Sequence, residues 1–115
     1  MIVTKRAYDP PLHEDSMRIL VDRLWPRGIT KEHLLIDDWI KNISPSSELR
    51  QWFAHEPEKW SHFLERYFKE LDGNKACWEP LLKKAEHHRV TLIYGAKDTE
   101  HNNAVALKQY LDSKN

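Results

Sequence analysis

The chain has 115 residues, 40% of them hydrophobic, and its 18 lysines and arginines balance 18 aspartates and glutamates. This length fits one domain that buries roughly 65% of its unfolded surface, and the zero net charge provides no general attraction to nucleic acid or membranes. The single cysteine, Cys77, excludes an internal disulfide and suits a reducing compartment. No signal peptide pattern and no apolar run of about 20 residues is recognised. We therefore expect one cytoplasmic domain over residues 1–115, without membrane contact.

Two strands are predicted near the N-terminus. Residues 2–8 alternate loosely between apolar and polar side chains, and Asp9-Pro10-Pro11 ends that pattern. Residues 18–25, RILVDRLW, have an apolar centre typical of a buried strand. About ten residues separate the two strands, fewer than a parallel crossover normally needs, so we expect them to be antiparallel or not adjacent.

Helical spacing dominates residues 30–85. Thr30 is the candidate N-cap of a first helix that ends before Pro45, and Ser46 or Ser47 caps a short second one. Pro57 opens the longest helix, which Asp72-Gly73 closes, and a fourth helix follows. The apolar stripes of the first, third and fourth helices are Ile36, Trp39, Ile40 and Ile43; Trp60, Phe63, Leu64, Tyr67, Phe68 and Leu71; and Trp78, Leu81, Leu82 and Ala85.

A strand, a turn and a helix form the C-terminal part. Residues 90–94 are rich in β-branched and aromatic residues, Gly95 allows a sharp turn, and Asp98 or Thr99 is the candidate N-cap of the last helix. The long helical region allows this strand to lie parallel to the second one. The fold class predicted is α/β, with a small three-stranded, at least partly parallel sheet flanked by about five helices.

A first candidate site follows the second strand, in the sequence DRLWPRG and the helix start after it. Arg23, Arg27 and Lys31 lie at a strand end, a turn and a helix start, where guanidinium groups bind phosphate or carboxylate oxygens in pairs. Asp22 could orient one arginine. The alternative is a structural ion pair between Asp22 and an arginine, with Trp25 in the core.

A second candidate site follows the last strand. Lys97 next to Asp98 shifts proton affinities in a way that suits acid–base work, and Tyr94 or His101 could supply a proton. Asn102 and Asn103 add fixed hydrogen-bonding groups. The alternative is that Asp98 caps the helix, His101 is solvated and Asn103 ties a loop.

A third cluster, residues 49–60, alternates aromatic and basic side chains such as Arg50, Trp52 and His55. These could stack on a base or a sugar, but helical spacing explains the aromatic residues as core. The seven histidines match no metal-ligand spacing, and neither a dinucleotide-binding nor a P-loop glycine pattern is present. No metal and no cofactor are predicted.

Three long motifs are spread along the chain: DRLWPRG at residues 22–28, LRxWFxHxPxxWxxF at residues 49–63, and TLIYGAKDTEHNNAVAL at residues 91–107. Together they resemble the YeaO-like family, a bacterial group with a domain of unknown function, over residues 2–111. The resemblance implies a small cytosolic α/β domain without an assigned activity. Alanine is usual in that family where this chain has Gly95. A wider set of related domains carries a Cys-His-Arg triplet near residues 100–102, and this chain lacks that cysteine. The characteristic positions that the resemblance assigns are Asp22, Arg23, Trp25, Pro26, Arg27, Gly28, Lys31, Tyr94, Lys97, Asp98, His101 and Asn102.

If the second and last strands are parallel neighbours, their carboxyl ends bring both candidate sites into one cationic pocket with one carboxylate. The first hypothesis is an enzyme acting on a small phosphorylated or carboxylated compound, nucleotides included. A non-catalytic module that binds an anion or a nucleic-acid end is the second, and an interaction domain with exposed tryptophans is the third. The enzyme requires Asp98 to point into the pocket. The predicted catalytic residues are Asp98, His101, Lys97 and Tyr94, and the predicted ligand-binding residues are Arg23, Arg27, Lys31, Asn102 and Asp22.

Overall fold

A computed structural model describes residues 1–114. Its strands form one four-stranded sheet in the order β1-β4-β2-β3, and every neighbouring pair is parallel. The α/β class is confirmed, while the expectation of three strands is wrong. The strands are β1, Ile2–Arg6; β2, Met17–Leu20; β3, Asp38–Trp39; and β4, Val90–Tyr94.

The predicted pairing of the second and last strands is confirmed, because β2 lies parallel to β4 with Ile19 opposite Leu92. On its other side β4 pairs with β1, so β1 and β2 are not adjacent. All five β4 residues are buried, as expected for a strand covered on both faces. The short link between β1 and β2 contains one 3-10 turn, His13–Asp15.

Five α-helices surround the sheet, in agreement with the sequence. They are α1, Lys31–Leu34; α2, Ser47–Phe53; α3, Trp60–Asp72; α4, Lys75–Ala85; and α5, Asn103–Asp112. Ser46 caps α2 by accepting a hydrogen bond from the Leu49 amide, and Phe63, Tyr67 and Leu71 form the buried stripe of α3. Pro57 begins a 3-10 turn, Pro57–Lys59, that leads into α3.

The predicted first helix, from Thr30 to Pro45, is wrong beyond Leu34. Leu35 adopts a left-handed conformation with φ of 52°, which ends α1 after one turn. The chain then adds β3 to the sheet edge, where the Asp37 amide donates to the Arg18 carbonyl and the Ile40 amide to the Leu20 carbonyl. The apolar residues that suggested one helical stripe divide between two cores: Ile36 and Trp39 pack in one, Ile40 and Ile43 in the other.

The two sheet faces are covered unequally. On the face we call the major face, Ile19 and Leu92 contribute to a core shared with α2, α3, α4 and α5. On the opposite minor face, Leu20 and Ile93 pack against Leu34 of α1 and the side chains of residues 25–36. The alternation of side chains along β2 and β4 therefore feeds two separate cores.

Candidate functional site

A pocket of about 320 Å³ lies where β2 and β4 end. The chain leaves β2 toward the minor face and leaves β4 toward α5 on the major face. Neighbouring parallel strands whose connections diverge in this way open a crevice at their carboxyl ends. The lining residues come from four segments: Asp22, Arg23 and Leu24 after β2; Ser44, Pro45, Arg50, Phe53 and His55 around α2; Phe63 of α3; and Ala96, His101, Asn102 and Asn103 around the start of α5.

Asp22 joins the ends of the two strands at this pocket. Its Oδ2 accepts a hydrogen bond from the Gly95 amide at 2.8 Å. A Cβ atom on Gly95 would lie 3.3 Å from that oxygen, so glycine eases the close approach. Burial raises the pKa of Asp22, against the opposing effects of the Gly95 amide, the Asn103 side chain and the charge of Arg50.

Two arginines supply positive charge to the pocket. The Nε atoms of Arg23 and Arg50 are buried and have no hydrogen-bond partner within residues 1–114. Arg50 is held by its Nη2, which donates to the Ser47 hydroxyl at 3.0 Å. A buried N–H group without an acceptor is destabilising by about 1–3 kcal/mol, so each of these guanidinium groups keeps an unused donor on a residue that lines the pocket.

Asp98 fixes the loop before α5 and does not cap the helix. Its Oδ1 accepts hydrogen bonds from the Glu100 and His101 amides at 2.9 and 3.0 Å, and these bonds lower the pKa of Asp98. The predicted N-cap at Asp98 or Thr99 is therefore wrong. Asn102 is the N-cap, because its Oδ1 accepts from the Val105 amide at 2.9 Å.

His101 and Asn103 are oriented by neighbouring groups. The His101 Nδ1 atom lies 3.0 Å from Asp98 Oδ2. The His101 ring packs edge-on against the Trp60 ring, with ring centroids 5.3 Å apart. Asn103 Nδ2 donates to the Val21 carbonyl at 3.0 Å and thereby ties the α5 start to the end of β2.

The structure brings part of the predicted site together. Asp22, Arg23, His101 and Asn102 line the pocket. The other predicted site residues are not among the lining residues, and their roles stay predictions; they are Tyr94, Lys97, Asp98, Arg27 and Lys31.

The burial or exposure of these residues differs from that of the lining residues. Tyr94 is only 3% exposed, and its burial raises its pKa. Arg27 and Lys31 are exposed, as is Lys97. The turn that carries Arg27 is held where the Tyr8 hydroxyl donates to the Arg27 carbonyl at 2.9 Å.

A family model described as "Inactive DUF488-N3 subclade" matches residues 1–115. The chain belongs to this family. It is 45% identical over 112 residues to "Uncharacterized protein YeaO" of Escherichia coli strain K12, and the aligned region covers 97% of each chain. Membership of the YeaO-like group is therefore confirmed. Uncharacterized proteins of Mycobacterium bovis and Mycobacterium tuberculosis are 36% identical over 109 residues, covering 95% of this chain and 92% of theirs. No solved structure gives a significant match.

In this member of the DUF488-N3 subclade, α2 contributes pocket residues that the sequence interpretation placed in a stacking cluster. Arg50 and Phe53 line the pocket, together with His55 just after the helix. Arg50 and Phe53 are three residues apart and so share a helix face, but this spacing alone does not show that the face lines a pocket.

Two features are absent from the part of this DUF488-N3 chain that the structure describes. Within residues 1–114, no group of three or more His, Cys, Asp or Glu side chains could hold a metal ion. No helix in that range is long and apolar enough to cross a membrane.

Proposed function

We propose that this protein is a non-catalytic domain that binds a small anion in the pocket at the carboxyl ends of β2 and β4. The observation that carries the proposal is the pair of buried Nε atoms of Arg23 and Arg50, which have no partner among residues 1–114 and belong to side chains that line the pocket. Buried polar groups in folded proteins are nearly always hydrogen-bonded, so an exception beside a concave site is a place where an acceptor from outside the fold, such as a ligand oxygen, would bind.

The charge balance of the lining supports an anion. Two guanidinium groups stand against one carboxyl group, Asp22, whose pKa is raised chiefly by burial. Guanidinium groups bind carboxylates and phosphates through directional, charge-assisted hydrogen bonds. A ligand with acceptor oxygens would therefore satisfy donors that the fold leaves without partners.

Catalysis has less support than binding. The enzyme hypothesis needed Asp98 in the pocket, but the Asp98 carboxylate is occupied by the Glu100 and His101 amides and is not a lining residue. The Ser44 hydroxyl, which does line the pocket, donates to the Lys41 carbonyl at 2.7 Å. The family description "Inactive" agrees with a binding role.

The interaction-domain hypothesis needed exposed tryptophans. Within residues 1–114, four of the five tryptophans are half-buried and Trp78 is buried. The aromatic side chains therefore offer little free surface to a protein partner.

Calorimetric titration tests the proposal with acetate, benzoate, inorganic phosphate, phenyl phosphate and adenosine monophosphate. We expect at least one anion to bind, and Arg23→Ala and Arg50→Ala to weaken that binding at least about tenfold, the equivalent of about 1.4 kcal/mol. Arg27→Ala and Lys31→Ala are matched controls, because they remove one exposed positive charge each outside the pocket. Equal losses in all four variants, or no binding by the wild type, would contradict the proposal.

A further inference from the structure

We infer that the ligand is a carboxylate joined to a compact apolar body, such as an arene or a branched alkane. This inference rests on the proposed function and specifies its ligand class. Three properties of the pocket lead to it: the hydrogen-bonding groups that remain free, the apolar walls, and the position of Asp22.

Most polar side chains in the lining already have protein partners. Ser44 donates to the Lys41 carbonyl, and Asn103 Nδ2 donates to the Val21 carbonyl. Asn102 uses both ends of its amide, with Nδ2 donating to the Asp98 carbonyl and Oδ1 accepting from the Val105 amide. The hydroxyl groups of a sugar or nucleoside that face these occupied side chains would lose water without gaining partners, which weakens binding.

The walls of the pocket are apolar. Phe53 and Phe63 have ring centroids 4.6 Å apart, and Pro45 and Ala96 also contribute to the lining. Leu24 lines the pocket while 72% exposed. A ligand with an apolar body would meet the remaining exposed edges of the two rings and cover Leu24, and burial of this apolar surface would stabilise the complex.

The charged end of the pocket suits a carboxylate better than a phosphate. A carboxylate carries two acceptor oxygens, as many as the Nε donors that have no partner within residues 1–114. The Asp22 carboxyl group lines the same pocket and, when ionised, repels a dianion more strongly than a monoanion. A volume of about 320 Å³ is near the lower end of ligand pockets, roughly 300–1,000 Å³, and so fits a small molecule.

The test compares benzoate, acetate, methyl benzoate, phenyl phosphate and adenosine monophosphate in titrations of the whole 115-residue protein. We expect benzoate to bind at least about tenfold more tightly than each of the others. Arg50→Gln should weaken benzoate binding about tenfold or more, whereas Arg89→Gln, at an exposed arginine just before β4 and outside the pocket lining, should leave it unchanged. Leu24→Ser should weaken benzoate about threefold and leave acetate unaffected, because only benzoate reaches the apolar wall.

The outcomes separate the two proposals. Tighter binding of phenyl phosphate or adenosine monophosphate, still dependent on Arg50, would overturn the ligand class and keep the anion site. Equal binding of methyl benzoate and benzoate would overturn the requirement for a carboxylate. Identical benzoate affinity in wild type and Leu24→Ser would overturn the apolar contact. If no compound binds, or if Arg50→Gln and Arg89→Gln behave alike, the proposed anion site is overturned as well.

Discussion

Arg18 and Arg23 lie five residues apart on one stretch of chain, yet their surroundings differ. Arg18 is 4% exposed on the minor face and uses its whole guanidinium group: Nη1 donates to Asp15 at 2.7 Å, and Nη2 and Nε donate to the Leu34 carbonyl at 2.7 and 3.1 Å. Arg23 follows β2 at the pocket and has a buried Nε without a partner within residues 1–114. The protein itself supplies acceptors for the Arg18 guanidinium group, whereas the Nε atom of Arg23 has none within residues 1–114.

The carboxyl groups near these two arginines, Asp15 and Asp22, also differ in how far the fold stabilises their charge. Burial raises the pKa of Asp15, but the Leu12 amide, Lys5 and Arg18 outweigh burial and hold the pKa below its usual value. Burial also raises the pKa of Asp22, and there it prevails over the Gly95 amide, Asn103 and Arg50. Asp15 is thus stabilised as an anion by the fold, whereas ionised Asp22 is not fully compensated.

The largest expected loss of stability follows from removing Arg18, the buried arginine on the minor face. Arg18→Ala leaves Asp15 buried with Lys5 alone and removes the donors to the Leu34 carbonyl. We expect the free energy of unfolding to fall by about 3–5 kcal/mol, measured by urea unfolding monitored by tryptophan fluorescence. Arg27→Ala is the control, with a change within about 0.5 kcal/mol. A similar small change for Arg18→Ala would contradict the distinction between the two arginines.

Substituting each carboxyl group should have opposite effects at pH 7. Asp15→Asn should lower the free energy of unfolding by about 3 kcal/mol, because it leaves Lys5 and Arg18 buried without an anion. Asp22→Asn should leave it unchanged or raise it, since it removes an uncompensated charge and keeps an oxygen for the Gly95 amide. Chemical unfolding of both variants measures this, and a larger loss at Asp22 would reverse the comparison.

The pH dependence of the free energy of unfolding follows from the shifted pKa values of Asp15 and Asp22. A lowered folded-state pKa means that the stabilisation by Asp15 is present above the unfolded value, 3.8, and is lost as pH falls through the folded value. Asp22 has the opposite sign: its raised pKa favours folding at low pH, and that contribution is lost as pH rises from 3.8 through the folded value. Unfolding curves between about pH 2 and 7 should show a steeper acid loss for Asp22→Asn than for Asp15→Asn.

The smallest expected effect is the change in the free energy of unfolding when a pocket arginine is replaced. Within residues 1–114 the Nε atoms of these arginines have no acceptor to lose, so Arg23→Ala and Arg50→Ala should not lower the free energy of unfolding by more than about 0.5 kcal/mol each. Thermal unfolding of the two variants beside Arg27→Ala measures this. A loss above about 2 kcal/mol would make them structural residues like Arg18.

The sequence predicted the elements whose signals are local. The α3 stripe, the Ser46 cap and the buried strand before Gly95 all depend on spacing within one element. Strand β3 was missed because Trp39 and Ile40 occur at helical spacing, while the left-handed Leu35 and the β2 edge decide their conformation. No local pattern reports such a tertiary effect.

The candidate site was predicted in part for the same reason. Asp22, Arg23, His101 and Asn102 follow strand ends and could be placed by topology alone. Arg50 reaches the pocket only through the packing of α2 over the strand ends, which sequence spacing does not specify. The Asn102 cap was missed because Asp98 is an equally good cap residue, and its turn with Glu100 and His101 excludes it from that role.

The position of β4 in the sheet has a consequence for synthesis of the chain. β4 is the last strand made, yet β1 pairs only with β4, and β2 finds its main partner there. Until residues 90–94 leave the ribosome, β1 has no neighbour and β2 has only the two-residue β3. Sheets built from such distant segments form slowly, because a long loop must close before its contacts are gained. The sheet and the pocket at its edge are therefore completed together, after nearly the whole chain has been made.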